Sequence, residues 1–365
     1  MRIGPLDFGE RPLMLAPMED VSDPPFRILC KRYGADVLYT EFISSGGLTH
    51  DSDDAQKKLD LYEEERPIGI QVFGGDVEQV RKATQIVDQA GADLIDINFG
   101  CPVRKVVRKD GGAGILRKPG KMRRITEAVI EEATRPVTVK TRLGWDDDSI
   151  DILNVARMLE DTGVQALAMH ARTREQMYKG EARWHWLRRL KEEGVRDIPL
   201  IGNGDALSPP EVEAMFDETG VDGVMIGRGA IGNPWIFQQA KTYMETGEVP
   251  PAPDWEERVE VVAEHLALKC EWLGERTGVL EMRKHYSGYF KGFRNASKLR
   301  HALMQETEQQ GVREVLSGWD PDAPEIRLSK ASLGGREKVA GGEGSHAPGD
   351  RDAPTKKPAP PPALA

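Results

Sequence analysis

Reactive and polar side chains in this chain cluster just after short runs of apolar residues. The clearest example is Cys101, which stands three residues after Asn98 and directly before Pro102. A thiol can donate a proton, a cationic group can stabilise an anion, and an amide or imidazole can orient a bound ring. Polar residues often follow an apolar run simply because the chain meets solvent there, which would explain one or two of these residues. It does not explain all of them, so we interpret the whole set as one site. Its members are Gln71, Asn98, Cys101, Lys140, Arg142, His170, Asn203 and Arg228.

The thiol of Cys101 is the candidate for proton transfer. Pro102 restricts Cys101 to extended backbone geometry, and residues 103–114 form a basic, Gly-rich segment with the mobility that a lid needs. A thiol whose pKa lies near neutrality can protonate a carbanion-like centre. The alternative is a small apolar packing residue, which is how we interpret Cys30 and Cys270.

Two Gly-rich turns and a lysine predict an anionic ligand that contains a ring. Residues 202–205 (GNGD) and 227–229 (GRG) follow the last two apolar runs. Such turns offer backbone N–H groups to a cofactor phosphate, and Arg228 adds a bidentate charge. Lys140 interrupts an apolar run, so we expect it to face an anion or an electron-rich ring such as a reduced flavin. Gln71 is expected to hydrogen-bond that ligand, with a core amide satisfied by the backbone as the alternative.

Eight short apolar runs alternate with segments of helical period. The runs are too apolar for one-sided antiparallel strands and are typical of buried parallel strands. They predict a (β/α)8 TIM barrel, with a doubly wound open sheet as the alternative, and barrel active sites lie at the C-terminal strand ends. The predicted strands are 13–17, 36–40, 68–72, 94–98, 137–141, 166–170, 199–203 and 223–227, and the predicted helices include 76–90, 121–133, 149–162 and 209–219.

The pattern changes after the last predicted strand. We expect residues 1–248 to form the barrel, 249–317 to form a small helical domain, and 318–365 to be a disordered tail rich in Pro and Gly. Segment 281–300 carries six Lys or Arg against one Glu, interleaved with aromatic residues. This mixture suits contact with RNA, and a solvated helical face over core aromatics is the alternative.

The composition of the chain limits which classes of protein it can belong to. The chain has 365 residues, of which 39% are hydrophobic and 30% are charged, as in globular proteins. Transmembrane and signal-peptide patterns are missing, and three distant cysteines form no disulfide framework or metal site, so we expect a cytoplasmic protein without a metal. The net charge of −10 argues against nucleic-acid binding, but segment 101–118 also carries six Lys or Arg against one Asp, which leaves room for a local basic face.

Several motifs resemble those of the tRNA-dihydrouridine synthases. In chain order they are 15–27 (LAPMEDVSDPPFR), 96–102 (DINFGCP), 109–114 (KDGGAG), 139–142 (VKTR), 170–173 (HART) and 226–235 (IGRGAIGNPW). The segment around the cysteine resembles the catalytic motif of that family without a gap. The similarity runs over about residues 12–310 and leans toward the bacterial B-type branch.

The resemblance implies a TIM barrel with FMN on its C-terminal face and NADPH as reductant. It implies that Cys101 protonates a uracil ring and that Asn98 contacts that ring. The residues expected to bind the FMN are Pro17, Met18, Glu19, Gln71, Lys140, His170, Asn203, Gly204, Asp205, Gly227 and Arg228. The residues expected to contact the tRNA, besides Asn98, are Arg142, Arg172, Arg283, Lys284, Lys291 and Arg294.

The implied reaction is reduction of the C5–C6 double bond of specific uridines in tRNA. A uridine leaves the folded tRNA, reduced FMN passes a hydride to C6, and Cys101 protonates C5 from the opposite face. We expect the enzyme to be a monomer. One alternative is an FMN barrel reductase for a free pyrimidine, similar to the dihydroorotate dehydrogenases. Another is a catalytically idle RNA-binding module on a barrel scaffold.

Overall fold

The computed structural model describes residues 1–321, which divide into two units. The first, which we call the barrel unit, is Met1–Pro253, and the second, the helical unit, begins at Asp254. Of the tail expected over 318–365, residues 322–365 lie outside the described part of the chain. Within the described part, no helix is both long and apolar enough to cross a bilayer.

The strands of the barrel unit supply its central sheet. In chain order the strands are β1 (Arg2–Ile3), β2 (Leu6–Asp7), β3 (Leu13–Leu15), β4 (Leu38–Tyr39), β5 (Ile43–Ser44), β6 (Ile68–Phe73), β7 (Leu94–Asn98), β8 (Val137–Arg142), β9 (Ala166–His170), β10 (Leu200–Asn203) and β11 (Gly223–Ile226). Strands β1 and β2 form a separate antiparallel hairpin, and β5 pairs alongside the end of β6.

Eight of the strands described here, β3, β4 and β6–β11, form a ring in which every pairing is parallel. The ring closes between β3 and β4 through a single parallel bridge, Met14 to Val37. Two backbone hydrogen bonds flank that bridge, from Leu15 N–H to Val37 O at 2.9 Å and from Asp36 N–H to Leu13 O at 2.8 Å. The predicted (β/α)8 barrel is therefore confirmed, and the open-sheet alternative is wrong.

The helices follow from capping residues and apolar spacing. Helix α4, for example, begins after Asp76, whose side chain accepts from Gln79 N–H, and it buries one face, whereas α9 ends at Gly220 with φ of 70°. The helices of the barrel unit are α1 (Pro24–Arg32), α2 (Ser45–Thr49), α3 (Asp53–Lys57), α4 (Val77–Gln89), α5 (Arg104–Val107), α6 (Pro119–Glu132), α7 (Ile152–Asp161), α8 (His185–Arg189), α9 (Pro209–Thr219) and α10 (Ile236–Thr246). Shorter helical turns are Glu63–Glu65, Gly112–Arg117, Leu190–Gly194 and Arg228–Ala230.

The barrel has an outer apolar layer and an inner layer that becomes polar toward one end. Leu13, Ile70 and Ile97 belong to the layer between strands and helices, whereas Met14 and Ile201 belong to a separate inner cluster. Because side chains alternate along a strand, the inner face of β6, β7 and β8 carries polar residues from the middle of the barrel to its C-terminal end. These residues are Gln71, Asp96, Asn98, Thr138 and Lys140.

The helical unit is built entirely of helices within its described residues. Asp254 caps the first of them by accepting from Glu257 N–H at 2.9 Å. Aromatic residues such as Tyr286 and Phe290 are buried in its core. The helices are α11 (Trp255–Leu273), α12 (Glu275–Met282), α13 (Tyr286–Tyr289), α14 (Ala296–Leu303) and α15 (Gln309–Ser317).

Candidate active site

A cavity of about 330 Å³ opens at the C-terminal end of the barrel strands. Most of the side chains that the strand-end argument singled out in the barrel unit line it. The predicted residues found in its wall are Pro17, Met18, Glu19, Asn98, Cys101, Lys140, Arg142, His170, Asn203, Gly204, Asp205, Gly227 and Arg228. Strand register explains part of this convergence, because Asn98 pairs with Lys140 and His170 pairs with both Arg142 and Asn203.

Cys101 is held at the cavity wall by the side chain of Asn98. The Asn98 Oδ1 atom accepts hydrogen bonds from Gly100 N–H at 3.0 Å and Cys101 N–H at 2.8 Å. Cys101 is 7% exposed, and burial raises the pKa of its thiol above the ordinary value. Burial therefore favours the neutral thiol over the thiolate. A protonated thiol is the form that can donate a proton.

Lys140 and Asn203 form the polar floor of the cavity. Lys140 Nζ donates to Asn203 Oδ1 at 3.2 Å, and Asn203 Nδ2 donates to Met225 O at 2.7 Å. Burial, assisted by the nearby positive charge of Arg142, lowers the pKa of Lys140 to about 8. Lys140 is still mainly cationic at neutral pH, so it can stabilise negative charge on a bound ring.

Arg142 braces the backbone around the thiol. Its Nε donates to Gly100 O at 2.7 Å, and its Nη1 donates to Thr173 O at 3.1 Å and Met177 O at 2.9 Å. Burial lowers the pKa of Arg142 to about 10, which leaves the guanidinium charged. The side chain thus ties the segment before Cys101 to the loop that follows β9.

His170 lies among cationic side chains that disfavour its protonated form. Burial lowers the pKa of its imidazole well below the ordinary value, and the charges of Arg142, Lys140 and Arg172 act in the same direction. A neutral imidazole can donate one hydrogen bond and accept another without adding charge to the cavity.

Asp205 connects two arginines that differ in exposure. Its Oδ2 atom accepts from Arg172 Nη2 at 2.6 Å, and its Oδ1 atom accepts from Arg228 Nη2 at 2.8 Å. Burial favours a higher pKa for Asp205, but the hydrogen bonds from Arg172 and Ala182 outweigh it and lower the pKa. The Arg172 side chain is only 1% exposed and also bonds Gly180 O at 2.6 Å. Arg172 therefore stands behind the cavity wall, whereas the half-exposed Arg228 is part of it.

Gln71 also lies behind the wall, where its side-chain amide bridges two side chains of β7. It donates to Asp96 at 2.5 Å and accepts from Asn98 at 2.7 Å. The structure therefore does not bring Gln71 to the cavity surface, and neither of the two uses proposed for it, ligand contact or a backbone-satisfied amide, describes these bonds.

Three residues in or behind the cavity wall were not singled out by the sequence. Tyr178 is 50% exposed at the cavity mouth, where its ring centroid lies 5.5 Å from Arg142 Cζ and 5.3 Å from Arg228 Cζ. Phe42 lines the cavity from the loop after β4. Asp96 is a buried carboxylate within β7, and its position in an otherwise apolar run was a signal available in the sequence.

The four basic residues predicted to contact tRNA from the helical unit differ in their surroundings. Lys291 and Arg294 are exposed. Arg283 donates to Glu306 O at 3.2 Å, and Lys284 is paired with Glu281. Among the aromatics of the same segment, Tyr286, Tyr289 and Phe290 are buried core residues, as the alternative interpretation held, whereas Phe293 is half-buried.

The sequence model of the dihydrouridine synthase (Dus) family matches residues 14–320 of this chain. The chain belongs to the dihydrouridine synthase family. The resemblance seen in the sequence motifs is therefore confirmed, and the family is one of oxidoreductases.

Relatives of this dihydrouridine synthase align over nearly its whole described length. A probable tRNA-dihydrouridine synthase 1 of Synechocystis sp. is 38% identical over 317 residues, which cover 87% of this chain and 88% of the relative. The tRNA-dihydrouridine synthase B of Pseudomonas aeruginosa is 38% identical over 312 residues, covering 85% and 93% of the two chains. The synthase B of Vibrio vulnificus is 38% identical over 320 residues, covering 87% and 98%.

Solved structures of other enzymes share the fold of this dihydrouridine synthase. A histamine dehydrogenase from Rhizobium sp. 4-9 superposes with a TM-score of 0.51 at 14% identity, covering 73% of this chain and 50% of that chain. A morphinone reductase variant in complex with tetrahydroNAD gives a TM-score of 0.50 at 16% identity, covering 70% and 91%. At such low identity the likeness establishes the barrel fold alone.

Proposed function

We propose that this chain is an FMN-dependent synthase that reduces the C5–C6 bond of specific uridines in tRNA with electrons from NADPH. One observation carries the proposal: the buried thiol of Cys101 lies in the wall of a cavity that also presents Lys140 and the glycines Gly204 and Gly227. We further propose that the protein works as a monomer in the cytoplasm and that its helical unit contacts the tRNA.

The residues of the cavity fit FMN in three respects. Lys140 offers a partly buried cation to the electron-rich ring. Gly204 has φ of 118°, and a Cβ there would lie 3.0 Å from the His170 ring, so only glycine leaves this part of the wall open. Arg228, next to Gly227, supplies a charge for the phosphate. When bound, FMN supplies the hydride that reduces the uracil at C6.

The chain's own residues then deliver the proton. Cys101 gives its Sγ proton to C5 of the uracil, so that the ring gains one hydride and one proton and the thiolate is reprotonated from solvent. Asn98 and Arg142 hold the peptide group that joins Gly100 to Cys101, because Asn98 accepts from its N–H and Arg142 donates to its carbonyl oxygen. His170 and Lys140 border the same cavity, and burial lowers the pKa of both groups.

A Cys101→Ala variant tests the proton-donor role. FMN binding should be retained, because a thiol in the cavity wall contributes little to binding a ring and a phosphate. Reduction of unmodified tRNA should fall by at least about 100-fold, since general acid catalysis contributes roughly 10²–10⁴-fold. Flavin absorbance measures the first quantity, and the single-turnover rate of flavin reoxidation by tRNA measures the second. A Cys101→Ala enzyme with normal tRNA turnover refutes the role.

The substrate class is tested by salt dependence. A tRNA enzyme that uses the basic residues near Lys291 should bind bulk tRNA with an affinity that falls steeply as salt rises. An enzyme for a free pyrimidine should instead reduce uracil or orotate and should show no such binding. A colourless protein that binds RNA without taking up FMN would support the idle-module alternative.

A further inference from the structure

Asp96 is a buried carboxylate that touches neither solvent nor the cavity. It is 1% exposed and lies in the middle of β7. Its Oδ1 accepts from the Thr138 hydroxyl at 2.5 Å, and its Oδ2 accepts from Gln71 Nε2 at 2.5 Å. Within residues 1–321 its side-chain partners are these two neutral groups, and no Lys or Arg forms an ion pair with it. A buried charge without an ion pair is costly, so what Asp96 adds over an apolar residue is a pair of hydrogen-bond acceptors.

A chain of hydrogen bonds leads from Asp96 to the cysteine. Gln71 donates to Asp96 and accepts from Asn98 Nδ2 at 2.7 Å. Asn98 then accepts from Gly100 N–H at 3.0 Å and from Cys101 N–H at 2.8 Å. Each of the two amide side chains thus uses its nitrogen toward Asp96 and its oxygen toward the cysteine.

The donor-to-acceptor direction of this hydrogen-bond chain is determined at its two ends. A backbone N–H can only donate, so Asn98 must present its oxygen to Cys101 and its nitrogen to Gln71. Gln71 must then present its own oxygen to Asn98 and its nitrogen to Asp96. Burial raises the pKa of Asp96 to about 6, so at neutral pH the group is mainly a carboxylate. A carboxylate can only accept hydrogen bonds, and Asp96 therefore makes this one orientation favourable. If the amides turned over, nitrogen would face nitrogen at Cys101 and two backbone donors would be left unsatisfied.

We propose that Asp96 is a positioning residue for proton donation: acting through Gln71 and Asn98, it fixes the backbone of Gly100 and Cys101 at the cavity wall. The inference rests on the proposed role of Cys101 as the acid. Asp96 itself touches neither FMN nor the uracil in this arrangement.

The conservative variant Asp96→Asn should preserve the hydrogen-bond chain. Its oxygen accepts from Gln71, and its nitrogen donates to Thr138, whose hydroxyl then accepts instead of donating. Asp96→Ala removes both acceptors, and Gln71→Met cuts the chain one link closer to the cysteine while keeping side-chain length. We expect tRNA-dependent flavin reoxidation to slow by about 10- to 100-fold in either of the last two variants. We expect it to stay within about threefold of wild type in Asp96→Asn, roughly the net effect of rearranging one hydrogen bond.

A merely structural role predicts a different pattern. The NADPH-dependent reduction of bound FMN does not use the thiol, so our proposal leaves that half-reaction nearly unchanged in all three variants. The double variant Asp96→Ala/Gln71→Met should be no slower than either single variant, because both cut the same chain. Independent damage to the barrel would instead slow both half-reactions and make the two single effects multiply.

A second readout does not require activity. Hydrogen exchange of the Gly100 and Cys101 amides, and alkylation of the Cys101 thiol followed by peptide mass analysis, should accelerate at least about fivefold in Asp96→Ala. The buried Cys30 serves as an internal reference in the same digest. If wild-type enzyme failed to reduce tRNA, the proposed function would fall, but the exchange and alkylation rates would still decide whether Asp96 positions the cysteine.

The matched control is Asp93→Ala. Asp93 also accepts two hydrogen bonds, from Arg66 and Ile68 N–H at 2.9 Å each, but it lies just before β7, at the opposite end of the strand. Its loss should lower thermal stability without altering Cys101 exchange. The proposal is overturned if Asp93→Ala and Asp96→Ala give the same exchange and kinetics, or if Asp96→Asn is as damaged as Asp96→Ala.

Discussion

Basic side chains lie both at the C-terminal end of the barrel strands, which we call the rim, and in the helical unit. The surroundings of these side chains differ between the two regions. Arg142 at the rim is buried and donates to three backbone carbonyls, and Arg172 is bonded to Asp205 and to the loop behind it. In the helical unit Lys291 and Arg294 are exposed. Within residues 1–321 their side chains form no hydrogen bond or ion pair with another residue.

The difference separates two uses of positive charge. A guanidinium held by three acceptors cannot move to meet a ligand, so its value lies in fixing the atoms around it. A solvated ammonium or guanidinium costs little to keep and attracts a polyanion over about a Debye length, but salt screens that attraction. Substitutions at the rim should therefore change rates, whereas substitutions in the helical unit should change tRNA affinity.

Of the substitutions that test this comparison, Arg142→Lys should produce the largest effect, a decrease in the rate of tRNA reduction. A lysine carries one compact ammonium and cannot reach three carbonyls that a planar guanidinium spans. We expect single-turnover reduction of tRNA to slow by about 100-fold, with little change in the affinity for tRNA. Stopped-flow flavin absorbance and a filter-binding titration measure the two quantities. The exposed Arg123→Lys is the control, and equal rates in the two variants would remove the bracing role.

Lys291→Ala combined with Arg294→Ala should show the reverse pattern. We expect the KM for tRNA to rise by about tenfold at low salt while kcat is unchanged, since each lost phosphate contact reduces the salt slope by about 0.7–0.9. The difference from wild type should shrink as salt rises. Lys82→Ala/Arg124→Ala removes two exposed basic residues from helices α4 and α6 of the barrel unit. Were that control to weaken tRNA binding equally, the effect would come from net charge rather than from the helical unit.

Glu41→Gln should produce the smallest effect, which is a change in how the free energy of unfolding depends on pH. Burial raises the pKa of Glu41 to about 7, although Lys58 nearby opposes the shift. The native state therefore binds this proton more tightly than the unfolded chain does, so the free energy of unfolding falls as pH rises from about 4.5 to about 7. The variant should lack this loss, which amounts to about 2–3 kcal/mol. Thermal melts at pH 5 and pH 8 measure it, with the exposed Glu10→Gln as control.

Much of the fold was predictable, because period and apolar content mark buried strands and amphipathic helices. The predicted strand at 94–98 and helix at 209–219 match β7 and α9 in full. The hairpin of β1 and β2, and strand β5, were missed because each of these strands has only two residues and, unlike β4, does not lie within a longer apolar run.

The cavity was less predictable than the fold, because strand ends fix where a side chain starts but not what it bonds. Lys140 lines the cavity as expected. Gln71 instead donates to Asp96 of the neighbouring strand β7, and Arg172 donates to Asp205 in the turn after β10. Tyr178 lies in a loop whose course depends on the hydrogen bond from Arg142 to Met177 O. No local sequence pattern predicts such a contact.

The single bridge between β3 and β4 makes the barrel's perimeter uneven. The pairings of β8 with β7 and β9 extend over four and five residue pairs, but one pair and two hydrogen bonds join Met14 to Val37. Separation of the sheet therefore requires the fewest broken bonds at this seam. Partial unfolding of the cylinder should begin there and spread outward, so Leu15 and Asp36 should lose their amide protons before the strands on the far side do.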